Sequence, residues 1–109
     1  MEIDIRDPEY TAKLAVLQTL SRVIDPELGV NIIDMGLVYA IRVNSPAKEI
    51  MVEMTLTSAA CPMGSMLTGH TRVAAGEALP GFDTTVTLVW EPKWNADRIS
   101  EAGKQLLGW

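Results

Sequence analysis

The chain has one cysteine, one histidine and one phenylalanine in 109 residues. A single thiol cannot close an internal disulfide, and it cannot complete a zinc site or an all-cysteine cluster site within one chain. There is no CxxC pair, which excludes a thioredoxin-like dithiol. There is no GxxxxGK[ST] and no GxGxxG, so the usual phosphate-binding loops are missing. Lys plus Arg number 9 against 14 Asp plus Glu, a net charge of −5. With no basic cluster, a nucleic-acid partner or an anionic membrane surface is not expected. No apolar run approaches the ~20 residues that span a bilayer. The opening residues Met1–Asp7 are charged and lack the apolar centre of a secretory signal. A reduced, cytoplasmic setting is the simplest expectation.

What is present reads as one globular unit over residues 1–109, with 48% hydrophobic and 21% charged residues. Asp7-Pro8-Glu9 has the form of an N-cap and an acidic first turn. Leu14, Leu17, Leu20, Val23 and Ile24 then recur at three and four residues, which predicts an amphipathic helix to about Ile24. Asp25-Pro26-Glu27-Leu28-Gly29 ends it. The 30–37 segment is unusually apolar for a loop and is expected to fold onto the core, carrying Asp34 with it. Leu37 to Val43 and Ile50 to Leu56 alternate as strands, and the short turn between them predicts an antiparallel hairpin. A helix follows Cys61 and ends near Leu79, before Pro80-Gly81. Thr84 to Trp90 reads as a third strand, parallel to the second across that helix. Asn95 is the expected cap of a last helix, with Ile99, Ala102, Leu106 and Leu107 inward and Gly108 stopping it. The order α-β-β-α-β-α makes an α+β fold, a two-layer α/β sandwich on a small mixed sheet.

The chemistry centres on Thr57-Ser58-Ala59-Ala60-Cys61-Pro62. Proline favours the first position of a helix, so Cys61 is expected at a helix cap, where free N–H groups favour a thiolate. A thiolate is both nucleophile and metal ligand; a buried, inert cysteine is the plainer alternative. His70 lies nine residues on in the same helix, roughly 13 Å along its axis, too far for a direct dyad. It reads as a surface or half-buried helix residue. Asp25 and Glu27 could assist the thiol only if the fold brings them to the same edge of the sheet. Asp25 could equally cap a turn, with Glu27 solvated. Thr57 and Ser58 could orient the loop or merely satisfy its backbone. Trp90 and Trp94 flank Glu91-Pro92 and could form a partner surface or cover the core edge.

Asp25-Pro26-Glu27-Leu28-Gly29, Ile33-Asp34-Met35-Gly36-Leu37-Val38-Tyr39, Met54-Thr55-Leu56-Thr57 with Cys61-Pro62, Leu79-Pro80-Gly81 and Trp90-Glu91-Pro92 together resemble the MIP18 family, also called domain of unknown function 59. The resemblance runs from about Leu14 to Trp109, and the ending looks most like the SufT branch. It implies the iron–sulfur cluster assembly fold and an accessory or transfer role in maturing iron–sulfur proteins. It places the family's reactive cysteine on Cys61, its acidic motif on Asp25 and Glu27, and its hydroxyl pair on Thr57 and Ser58. Ser58 stands where Thr is common and Ala59 where Pro is common, which loosens the loop. The extra C-terminal cysteines of PaaD-like members and the fused P-loop ATPase of other relatives are missing. One thiol is too few for a stable cluster, so a transient iron–sulfur cluster would need ligands from a second chain of a homodimer or from a client apoprotein. The expected partners are therefore the assembly machinery and its clients. The other classes to weigh are a thiol enzyme with Cys61 as nucleophile and Asp25 or Glu27 as base, and a docking module using Trp90 and Trp94.

Overall fold

The computed structural model describes residues 3–58 and 64–109. Helix α1 spans Tyr10–Leu20, strand β1 Val38–Asn44, strand β2 Glu49–Met54, helix α2 Gly64–Ala78, strand β3 Asp83–Leu88 and helix α3 Glu101–Leu107. A 3-10 turn, Ala96–Arg98, precedes α3. This is the expected α+β order with one short element added.

The sheet runs β1-β2-β3. The central strand β2 is antiparallel to β1 and parallel to β3, as the short 44–48 turn and the intervening helix require. Ile50, Val52 and Met54 alternate inward and are buried, while Met51 faces the open side. Val16 and Leu20 of α1 join Leu67 and Ala75 of α2 over that inner face. The open face is polar, and Arg42 pairs with Glu53 across it.

Helix α1 is shorter than its apolar pattern suggests. It begins at Tyr10, with Glu9 rather than Asp7 at the N-cap position. Asp7 acts just before it, accepting the Glu9 N–H at 2.8 Å and pairing with Lys13 Nζ at 2.6 Å. Glu9 turns away to accept the Ser45 backbone N–H at 2.9 Å. The helix closes at Leu20, not Ile24: the Val23 N–H bonds the Leu20 carbonyl at 3.0 Å, a tighter turn. Ile24 then forms an antiparallel bridge with Asn31. Val23 and Ile24 continue the helical spacing, but both are β-branched and Pro26 follows, so the chain extends instead.

The inward set of β1 also differs from simple alternation. A bulge between Val38 and Ala40 leaves Tyr39 outside the ladder. Val38, Ile41 and Val43 are buried in consequence, and Tyr39 is not. Strand β2 stops at Met54 and β3 at Leu88, each two residues before its expected C-terminal end, and each begins one residue early, at Glu49 and Asp83. One further bond on each side prolongs the pairing: the Thr55 N–H to the Leu37 carbonyl and the Val89 N–H to the Met54 carbonyl, both 2.8 Å.

At the C-terminal end, Asn95 caps the 3-10 turn by accepting the Asp97 N–H, and Ser100 caps α3 by accepting the Gly103 N–H. Ile99 is buried, but Ala102 and Leu106 face outward, because α3 starts six residues later than its expected cap and presents Gly103 to the core instead. Gly108 ends the helix in the left-handed conformation, φ 74°.

Candidate functional site

Cys61 and its expected helix cap at Cys61–Pro62 lie outside the described residues, as does Ala59. The site is therefore built from the residues that lead into that segment and those that meet them from elsewhere in the chain.

Asp25 opens the turn after α1. It is only 3% exposed. Its Oδ1 accepts the Glu27 N–H at 2.8 Å, its carbonyl accepts the Gly29 N–H at 2.8 Å, and its own N–H bonds the Val30 carbonyl at 2.9 Å. These three bonds close the 25–30 turn, with Gly29 at φ 72°. Asp25 therefore works as a turn former that aims Glu27. The turn-capping alternative weighed for it in the sequence is what the geometry displays.

Glu27 is exposed and reaches across to the end of the β2 segment, where Glu27 Oε2 accepts the Thr57 hydroxyl at 3.5 Å. That is a long bond, at the outer limit of the interaction. It nevertheless joins two residues 30 apart in sequence. The fold thus brings Glu27 to the edge of the sheet where Thr57 leaves β2, while the approach of either acid to Cys61 lies outside the described residues. Ser58 is exposed beside them.

Thr57 and Ser58 also form one wall of a cleft of about 370 Å³. Trp90, Glu91, Lys93 and Trp94 form the other wall, and Thr55 and Leu56 complete it. The two tryptophans differ. Trp94 is half-buried against the core, and its indole N–H donates to the Met35 carbonyl at 2.7 Å. Trp90 is 44% exposed. Trp94 thus covers the core edge, and Trp90 is the more exposed of the two toward a partner. A second tie holds the same loop: the Tyr39 hydroxyl donates to the Pro92 carbonyl at 2.8 Å. The Arg98 guanidinium stacks over the Tyr39 ring, 4.7 Å from its centre. The bulge that takes Tyr39 out of the β1–β2 ladder is what makes this tie available.

Behind the cleft, Asp34 fastens the apolar 30–37 loop to the C-terminal residues. Its carboxylate accepts from Asn31 Nδ2 at 2.7 Å and from the Ser100 hydroxyl at 2.8 Å, and its carbonyl accepts the Ser100 N–H at 2.8 Å. Lys93 is the contributor that spacing does not single out, while Asp34 is expected from the sequence only to ride the apolar loop onto the core. Lys93 is recognisable only by its place between two tryptophans, and Asp34 only by the polarity it adds to an apolar run.

His70 is exposed on α2 and lines a separate groove between α1 and α2 with Arg22, Ile24 and Met66. That agrees with a surface residue. Among the described residues no three His, Cys, Asp or Glu side chains gather to hold a metal ion, and no helix is long and apolar enough to cross a membrane.

Residues 13–88 match the model of a family described as iron–sulfur cluster assembly protein. The chain belongs to that family. It is 42% identical over 86 residues to the Fe-S protein maturation auxiliary factor SufT of Staphylococcus aureus, covering 79% of this chain and 97% of that one. It is 35% identical over 100 residues to the Fe-S protein maturation auxiliary factor YitW of Bacillus subtilis, covering 92% and 97%. Its fold superimposes on a domain of unknown function 59 from Bacillus anthracis with a TM-score of 0.83 and 32% identity, over 90% of this chain and 92% of that one. The MIP18-type resemblance in the sequence and the α-β-β-α-β-α fold of the iron–sulfur assembly family thus agree.

Proposed function

We propose that the protein is an accessory factor in the assembly of iron–sulfur clusters, acting on client apoproteins through Cys61, with Glu27, Thr57, Ser58 and Trp90 forming the face where the chain leads toward that residue in sequence. The observation that carries this reading is the Glu27–Thr57 contact. It gathers the acidic turn and the hydroxyl pair at the entrance to the segment holding the chain's one thiol, in a chain of the iron–sulfur assembly family. The names of the SufT and YitW relatives, both maturation auxiliary factors, support the same role.

In this reading the cluster is cargo. Cys61 supplies one thiolate, and the remaining ligands come from the client or a second chain, because a cluster takes about four such ligands. Glu27 meets the Thr57 hydroxyl and so joins the acidic turn to the chain that precedes the cysteine segment in sequence. Trp90 offers an exposed aromatic surface to the client. A reduced, cytoplasmic setting suits a lone reactive thiol.

Anaerobic reconstitution of the wild type and Cys61→Ser with iron and sulfide, with and without a client apoprotein, tests it. Cluster absorption that depends on Cys61 and travels with a complex of more than one chain supports shared ligation. Equal absorption in the two proteins, with equal client maturation, rejects a role for the thiol.

A further inference from the structure

The sheet has two edges, and they are treated differently. Strand β1 is bulged at Val38–Ala40 and carries Arg42, and Ile3, Asp4 and Asp7 line a cleft with its residues Tyr39 to Arg42. Bulges and long cations are the devices that keep an edge from pairing with another strand. Strand β3 has neither. It runs six residues, and from Thr84 to Trp90 the chain has no charge and no proline. Among the described residues, β3 touches only β2 and α2 of all the elements.

The backbone polarity of β3 follows from two bonds. The Asp83 N–H donates to the Lys48 carbonyl and the Val89 N–H to the Met54 carbonyl, both at 2.8 Å. Odd-numbered residues therefore face β2. Thr84, Val86 and Leu88 point their N–H and C=O groups outward, where the sheet ends.

We infer that β3 is the interface for a second copy of this chain, the two β3 strands pairing antiparallel about a two-fold axis at Val86. The parity allows it. Val86 faces Val86 and Thr84 faces Leu88 as hydrogen-bonded pairs, which satisfies the outward groups of both copies. Thr85 then lies opposite Thr87 on the open face, a favourable cross-strand pair. The one charged residue of the strand, Asp83, falls opposite Val89, so no like charges meet although each chain carries a net charge of −5. The strands of the two copies run in opposite directions, so their Thr57–Ser58 ends lie on opposite sides of the joined sheet. Each site then faces its own client, and the client supplies the missing cluster ligands. This last consequence rests on the proposed function; the dimer does not.

Sedimentation equilibrium combined with residue-resolved amide exchange tests the inference. The wild type is expected to dimerise, with the Thr84, Val86 and Leu88 amides protected at dimer concentrations and exchanging freely on dilution. Thr85 and Thr87 amides should not change. Thr85→Lys with Thr87→Lys sets cations opposite each other twice and should weaken the dimer about tenfold or more. Thr85→Glu with Thr87→Lys restores opposite charges at the same two exposed positions and should dimerise at least as well as the wild type. Both variants alter only open-face side chains, and their circular dichroism and melting report that they fold. A wild type that stays monomeric at about 1 mM, weaker than useful association, overturns the inference. So does a two-lysine variant that dimerises like the wild type. Protection of the three outward amides only after a client apoprotein is added also overturns it, in favour of a partner's strand.

Discussion

Replacing Gly36 with alanine should destabilise the protein far more than the same change at Gly29. Both residues sit at nearly the same backbone angle, φ 73° and 72°. The conformational cost of a β-carbon there is therefore shared, about 1–2 kcal/mol. The surroundings differ. At Gly29 an added Cβ meets nothing within 4 Å. At Gly36 it would lie 2.3 Å from the Arg98 carbonyl oxygen and 2.8 Å from Arg98 Cβ. The oxygen belongs to backbone and cannot rotate away. Arg98 must move, although Ser100, two residues on, is bonded to Asp34. Next to Gly36, the Met35 carbonyl holds Trp94. A further cost of about 1–3 kcal/mol follows from such overpacking. Gly36→Ala should therefore lower stability by about 2–5 kcal/mol and Gly29→Ala by about 1–2 kcal/mol. For a domain this size each kcal/mol moves Tm by about 4–8 °C. Urea unfolding at constant m gives the two values directly. Losses within about 0.5 kcal/mol of each other, the usual resolution of such comparisons, would refute the steric reasoning.

Other changes probe the remaining supports. Trp94→Phe keeps an aromatic ring but removes the indole N–H that bonds the Met35 carbonyl, which should cost about 1–2 kcal/mol in urea unfolding, whereas Trp90→Ala, at an exposed ring, should cost within about 0.5 kcal/mol. Asp34→Ala strips acceptors from Asn31 and Ser100 and should lower stability by about 2–3 kcal/mol; an unchanged urea midpoint would show that the loop and α3 do not depend on it. Asp7 is held below its ordinary carboxylate range first by its bond to Lys13 and then by the Glu9 N–H, and Glu9 is held low by the Ser45 hydroxyl and then the Ser45 N–H. Both carboxylates favour folding when ionised, so their contribution is complete above the unfolded values near pH 4 and disappears as pH falls through the lower folded values. Lys13→Met should bring the Asp7 titration, followed by carboxyl NMR shifts, back up toward the ordinary value; no movement would remove Lys13 as the cause.

Much of the fold is legible in the sequence because the strands obey period two and the turns carry their own markers. Ile50, Val52 and Met54 can be assigned to one face by alternation alone, and Pro80-Gly81 marks the return to β3. What is not legible is set by contacts between distant segments. The spacing of Val23 and Ile24 fits a helix; only the bridge to Asn31 shows that the chain has already extended. Leu106 fits an inward stripe until Ser100, 66 residues from Asp34, is seen to fix where α3 begins. The bulge in β1 has no local signal, yet it decides that Tyr39 leaves the core and holds Pro92. The same limit governs the site. The acidic turn and the hydroxyl pair are both visible as motifs, but no spacing rule brings Glu27 to Thr57. Asp25 and Trp94, each readable as chemistry or as scaffold, both make scaffold bonds visible only in their partners: the Glu27 N–H and the Met35 carbonyl.

The central claim is that this chain matures iron–sulfur proteins through Cys61. The most direct test is the rate at which a [4Fe–4S] client apoprotein regains activity, under anaerobic conditions with a cluster-loaded scaffold, when wild type, Cys61→Ser or Glu27→Gln is added. The account predicts that the wild type accelerates activation, that Cys61→Ser loses the acceleration while keeping its fold, and that Glu27→Gln falls between them. Equal acceleration by the wild type and Cys61→Ser would contradict it.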